Sequence, residues 1–167
     1  MSEKNELIIV REFNAPRALV FDACTKPEHL GKWWGPKGSK ITILKIDVKA
    51  GGTFHYELSY VDNRTMCGKF VYREVIKPEK IVFVTSFADK AGNIIPAPFP
   101  IKFPNEILNT WTFSEHKGKT KITLQGMAIN GTEEERESFR NLFSSMEQGF
   151  GGTFDQLDEH LKNLVTP

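Results

Sequence analysis

The side chains that could do chemistry are few and widely spaced. His55 and Glu57 stand two apart with Tyr56 between them. In a strand that spacing puts both on one face, where an imidazole and a carboxylate can share general acid and base work. The same alternation gives the opposite face to Phe54, Tyr56, Leu58 and Tyr60. The aromatic face is the one to bury, so His55 and Glu57 are expected on a solvated polar face with no catalytic role. Asn109, in line with Ile107, Trp111 and Phe113, is the better candidate for a polar group inside an apolar cavity. A buried amide of this kind most often hydrogen-bonds the scaffold.

Other constellations are missing. His29, His55, His116 and His160 form no HxxxH pair and have no cysteine partner at ligand spacing, so no metal site is expected. Gly149-Phe150-Gly151-Gly152 lies inside a helical stretch and not between a strand and a helix, which removes the phosphate-loop reading. No GxSxG nucleophile elbow occurs. No catalytic residue or cofactor is expected.

Composition narrows the partners. A chain of 167 residues fits one domain over 1–167 with a core of its own. Lys plus Arg total 22 against 21 for Asp plus Glu, and a net charge of +1 makes no electrostatic case for nucleic acid or an anionic membrane. Residues 1–6 are polar with no apolar signal region, and no stretch nears the roughly 20 apolar residues that span a bilayer. A soluble, cytoplasmic protein without membrane insertion is expected. Cys24 and Cys67 are isolated and read as reduced core thiols.

The element that must position any site is 132–164. Phe139, Leu142, Phe143, Met146, Phe150, Phe154, Leu157, Leu161 and Leu164 recur at helical spacing on one face. Thr132 and Glu135 form a capping box after Asn130-Gly131. Gly149, Gly151 and Gly152 oppose the helix by about 1 kcal/mol each, less than the about 1.5–3 kcal/mol gained per buried apolar side chain. One long buried helix is expected, bent at the glycines. Those glycines either let the helix lie close on another element, or leave room beside it for a ligand or let it move.

Ahead of it, 7–13 reads as a strand, and 17–25 and 28–34 as short helices opened by Pro16 and Pro27. Trp33 and Trp34 end the second near a presumed cavity mouth, at least one of them in the core. Period-two alternation then marks strands at 41–48, 53–60, 66–76, 81–87, 106–114 and 120–128, joined by short turns into an antiparallel meander. Residues 88–105 break the rhythm. They carry Pro96, Pro98, Pro100 and Pro104 with Ile94, Ile95, Phe99, Ile101 and Phe103, and read as a loop packed over a sheet edge or as a lid. Seven strands with so little helix must curl around the one long apolar stripe, leaving a cavity between.

Several phrases in this order carry a resemblance. They are Phe13-Asn14-Ala15-Pro16, Thr25-Lys26-Pro27-Glu28-His29-Leu30 with Trp33-Trp34-Gly35-Pro36, Gly51-Gly52-Thr53-Phe54, and Ile76-Lys77-Pro78-Glu79-Lys80-Ile81. Gly118-Lys119-Thr120-Lys121-Ile122-Thr123-Leu124 and Gly149-Phe150 before Leu157 and Leu161 complete them. Together they resemble the START-like helix-grip (SRPBCC) superfamily, and within it the branch related to the activator of the heat-shock-protein ATPase, over nearly the whole chain. The resemblance implies an α+β helix-grip fold: strand, two helices, six strands and a long C-terminal helix gripped by a curved antiparallel sheet.

Members resembling this chain include hydrophobic-ligand binders, cyclase and aromatase relatives, and a co-chaperone domain. The matching phrases are turns, caps and core positions, so they speak to fold more than to role. The expected function is binding of a small hydrophobic or aromatic ligand between sheet and helix, with Trp34, Phe54, Tyr56, Phe70, Phe83, Asn109, Trp111, Phe113, Met146 and Phe150 as its wall. A co-chaperone-like interaction module, with a chaperone partner implied by the resemblance, is the alternative. A cyclase- or aromatase-like enzyme is the third.

Overall fold

The computed structural model describes residues 5–98 and 100–165; Phe99 of the proline-rich loop and most of the polar start lie outside them. Strand β1 (Glu6–Phe13) leads to helices α1 (Arg17–Thr25) and α2 (Pro27–Trp33). Then come β2 (Lys40–Ile46), β3 (Thr53–Ser59), β4 (Thr65–Ile76), β5 (Lys80–Ala88), β6 (Glu106–His116) and β7 (Lys119–Ile129), and finally helices α3 (Glu133–Asn141) and α4 (Phe143–Val165). The strands make one antiparallel sheet in the order β1-β7-β6-β5-β4-β3-β2. The meander thus runs from β2 to β7, and β1 returns to pair with β7. This is the α+β helix-grip architecture that the alternating strands and the C-terminal stripe predict. Among the described residues no helix is long and apolar enough to cross a membrane.

The C-terminal half of α4 is seated hard on the rest. Phe154, Leu157 and Leu161 are buried; Phe154 stacks on Trp33 at 6.4 Å and meets Phe13 and Trp111 edge-on. Polar bonds lock the same contact. Gln156 Nε2 donates to the carbonyls of Trp33 (3.1 Å) and Gly35 (2.7 Å), and Thr153 Oγ1 donates to Gly35 at 3.2 Å. Gly35 has φ +117°, and a Cβ there would stand 2.8 Å from Leu58 Cδ2, so only glycine makes this turn. The turn sends the two tryptophans opposite ways: Trp33 into the core, its Nε1 donating to Ala23 O at 2.8 Å, and Trp34 toward the sheet.

The expected single helix over 132–164 is two helices. The capping box forms as the sequence predicts, with Thr132 Oγ1 accepting from the Glu135 N–H at 3.1 Å and Glu135 Oε1 accepting from the Thr132 N–H at 2.7 Å. The break falls at Leu142, whose φ −99° and ψ 2° leave the helical region and whose N–H turns back to Phe139 O at 3.1 Å. It sets Phe139 edge-on to Phe143 at 5.0 Å and lets Phe139 reach Phe103 of the 88–105 loop at 6.1 Å. Leu164, expected on the buried face, is 42% exposed.

The glycines interrupt nothing, because α4 runs unbroken through all three. Close packing and ligand space are both left without support. A Cβ at Gly149 or Gly151 would meet nothing within 4 Å, and one at Gly152 would find only the Lys37 side chain at 3.9 Å. No element lies close against them, and none of them lines the cavity.

Helices α2 and α4 also bring together two histidines far apart in sequence. His29 Nδ1 and His160 Nε2 share a hydrogen bond of 2.9 Å. Desolvation first, then the charges of His29 and Lys32, push the His160 imidazole below its ordinary value.

Two predictions follow from the helix. Gly149→Ala and Gly151→Ala each raise stability by about 0.5–1 kcal/mol, read as a rise of roughly 1–4 °C in Tm; a fall at either position would show that the glycine serves the native state. Because the folded state disfavours the charged His160 imidazole, the unfolded chain binds more proton as pH falls. That contribution to stability is complete above the unfolded value near 6.5 and is lost as pH falls below it. Urea unfolding at pH 7.5 and 5.5 should therefore show a smaller acid loss for His160→Asn than for wild type, and equal losses would contradict the assignment.

Candidate functional site

The N-terminal half of α4 does not follow its other half onto the sheet. Phe143, Met146 and Phe150 are only half-buried, and between them and the strands lies a cavity of about 610 Å³. Its floor is built by the register of the sheet. Inward positions pair across strands as Tyr56 with Gly68, Phe70 with Thr85, Phe83 with Asn109, and Asn109 with Gly126. The roof is Leu142, Ser145, Met146 and Phe150, and the 100–105 segment forms one side. Among the described residues no Asp, Glu, Lys, Arg or His lines it.

Aromatic rings set the shape. Phe70 and Phe83 stack at 4.3 Å and 12°. Trp34 stands edge-on to Tyr56 at 6.2 Å and to Phe70 at 5.3 Å, and within 6.4 Å of Phe150. Gly68 makes room for this arrangement, since a Cβ at that position would stand 2.5 Å from Tyr56 Oη. Burial pushes the Tyr56 hydroxyl up to about 12, partly offset by the Trp34 indole beside it, so the phenol stays neutral.

Two polar side chains, Thr85 and Asn109, stand in the floor. Asn109 is 6% exposed, and its Nδ2 donates to Thr85 Oγ1 and to the Ile107 carbonyl, both at 3.1 Å. A carbonyl only accepts, so the amide orientation is fixed by chemistry. Its Oδ1 turns toward Gly126, where a Cβ would lie 3.5 Å away, and has no hydrogen-bond partner among the described residues.

Of the residues predicted from the in–out alternation, Trp34, Tyr56, Phe70, Phe83, Asn109, Trp111, Met146 and Phe150 line this cavity. Phe54 and Phe113 do not. Both face inward, but at the closed end. Phe54 is covered by Tyr56 and Phe70 at 4.9 and 5.1 Å, and Phe113 by Phe21 of α1 at 5.2 Å. Sequence reasoning passed over Leu7, Met66, Thr85, Phe87 and Ile107, which share the same inward register. It also missed Gly68 and Gly126, which contribute space and not side chains. The 88–105 loop supplies Pro100, Ile101, Phe103, Pro104 and Asn105 to the lining, as a cover packed against α3 through Phe103.

His55 and Glu57 are not on a solvated face. His55 is 6% exposed, because the turn after β5 folds back over the outer side of the sheet, pinned by the Ala88–Ile94 bridge. His55 Nε2 bonds the Asp89 carbonyl at 2.9 Å, Lys69 Nζ donates to Gly92 O at 2.8 Å, and Lys90 Nζ sits 3.4 Å from the Glu57 carboxylate. Backbone N–H groups of Asn93 and Ala91, with the Asn93 side chain, hold the Asp89 carboxyl below the usual carboxylate range. These groups tie down a turn, on the opposite side of the sheet from the cavity. Among the described residues no three metal-ligating side chains cluster.

Comparison with known proteins agrees with this architecture. Residues 14–162 match the family model described as Activator of Hsp90 ATPase homolog 1-like protein. A crystal structure of a Mycobacterium smegmatis protein is similar at 26% identity and a TM-score of 0.77, covering 97% of this chain and 91% of that one. A solution structure of a Staphylococcus epidermidis protein is similar at 25% identity and TM-score 0.78, covering 100% and 95%. An Arthrobacter aurescens protein, at 22% identity and TM-score 0.80, covers 95% and 87% and shows the fold alone. No curated protein matches the sequence.

Proposed function

This chain belongs to the family of Activator of Hsp90 ATPase homolog 1-like proteins, and on that footing we propose that it binds a small hydrophobic or aromatic ligand between its sheet and α4. The observation that carries the reading is the cavity of about 610 Å³, within the roughly 300–1,000 Å³ typical of small-molecule sites and walled mainly by aromatic and aliphatic side chains, with Asn109 and Thr85 as polar groups in its floor. We take residues 1–167 as a single START-like domain working in the cytoplasm, a setting in keeping with two unpaired, buried thiols, Cys24 and Cys67. An enzyme of cyclase or aromatase type would need acid and base groups converging on the cavity, and the described residues of its lining offer no carboxylate, imidazole or amine.

A co-chaperone-like interaction module is the second reading. It draws on Ile8 and Val10, 48% and 55% exposed on the outer face of edge strand β1, with Met127 beside them on β7.

A thermal-shift screen against lipids, aromatic metabolites and polyketide-like compounds separates the two. A ligand at about 100 times its Kd stabilises the native state by about 2.7 kcal/mol, and Phe150→Ala, which removes one ring of the roof, should reduce or abolish that shift. If no compound shifts wild type while an added chaperone does so through Ile8 and Val10, the interaction reading replaces this one.

A further inference from the structure

We propose that the cavity selects a neutral hydroxylated aromatic, a phenol or aromatic alcohol, whose O–H donates to Asn109 Oδ1. The inference rests on the cavity reading above and specifies its ligand class. Three observations lead to it. The Asn109 amide is committed on one side only, Nδ2 being held by Thr85 and Ile107. Its Oδ1 is therefore a fixed acceptor on a residue only 6% exposed, without a partner among the described residues, and an unpartnered acceptor at the wall of an apolar cavity favours a ligand that brings a donor. The cross-strand neighbour is Gly126, which leaves the approach to Oδ1 clear.

The charge of the ligand follows from the rest of the lining. Among the described residues no Lys, Arg or His lines the cavity, so a carboxylate would be buried with no counter-ion and only uncharged donors, such as the Trp34 and Trp111 indole N–H groups, to meet it. Among the described residues no Asp or Glu lines it either, so a protonated amine fares no better. Flat walls such as the stacked Phe70 and Phe83 suit a fused or substituted ring system.

Calorimetric titration of the full chain with naphthalene, 2-naphthol and 2-naphthoate tests this with one carbon skeleton. Wild type should bind 2-naphthol, and 2-naphthoate at least about tenfold more weakly, as burial of an unpaired charge requires. In Asn109→Leu the preference for 2-naphthol over naphthalene should fall by about two- to tenfold, the range one net hydrogen bond supports. Gly126→Ala provides a second variant that keeps the Asn109 scaffold bonds, because its Cβ would sit in ordinary contact, 3.5 Å from Oδ1 and 3.8 Å from Ile107 Cγ2. The preference should fall there too, and this variant decides the matter if Asn109→Leu does not fold. An unchanged preference in the folded variants, or 2-naphthoate binding as tightly as 2-naphthol, overturns the proposal while leaving the cavity reading in place. Failure of all three probes to bind wild type overturns this inference, while the cavity reading stands or falls on the thermal-shift screen.

Discussion

One helix cannot cover the inner face of a seven-stranded sheet, and the molecule is organised by how it handles that deficit. The bonds from Gln156 and Thr153 to the Gly35 carbonyl decide which half of the sheet is served. They hold the C-terminal half of α4 against α2, where Trp33, Phe13 and Phe154 pack without space. The other half of the helix then stands away from β4, β5 and β6, and the difference is made up by Trp34, the 100–105 segment and open volume. The cavity is a remainder, set by where the clamp sits.

Much of this is legible in the sequence, and for a simple reason. Period two in β3 and β6 puts Tyr56, Asn109 and Trp111 on the inward side without ambiguity, and a capping box at Thr132 needs only local geometry. What escapes the sequence depends on contacts between distant segments. His55 alternates like a solvent-facing residue, and only the turn at 89–93, folding back on the outer surface, buries it. Phe54 and Phe113 share the inward register with true wall residues, and distance along the sheet from the clamp, which no pattern encodes, puts them at the closed end. The break at Leu142 is hidden by a stripe that continues at helical spacing on both sides. Gly68 and Gly126 are silent in any pattern built from side chains, although the shape of the cavity depends on them.

The aromatic wall is also where the fold gives up stability. Trp34 Nε1, Trp111 Nε1 and Tyr72 Oη are buried without hydrogen-bond partners among the described residues, each a loss of about 1–3 kcal/mol relative to a satisfied group. The first two belong to residues that line the cavity, and Tyr72 backs Phe70 and Phe83. Elsewhere the buried polar atoms are well served, as Trp33 Nε1 and Thr120 Oγ1 show by their bonds to Ala23 and Ala15. Local rules of polar satisfaction are broken mainly at the site, which is where a structure shaped for something other than stability breaks them.

The pairing of β1 with β7 has a consequence for how the protein is made. Phe13 must wait for Thr120 before its strand has a partner, roughly a hundred residues that a ribosome adds over about 5–20 s. Through that interval the meander from β2 onward can assemble from neighbouring hairpins, while β1 remains a short apolar strand with both edges unpaired. A nascent chain in this state offers the kind of edge on which strands of other chains add. Closing the sheet is thus one of the last acts of synthesis, and the interval before it is when the chain most needs shelter.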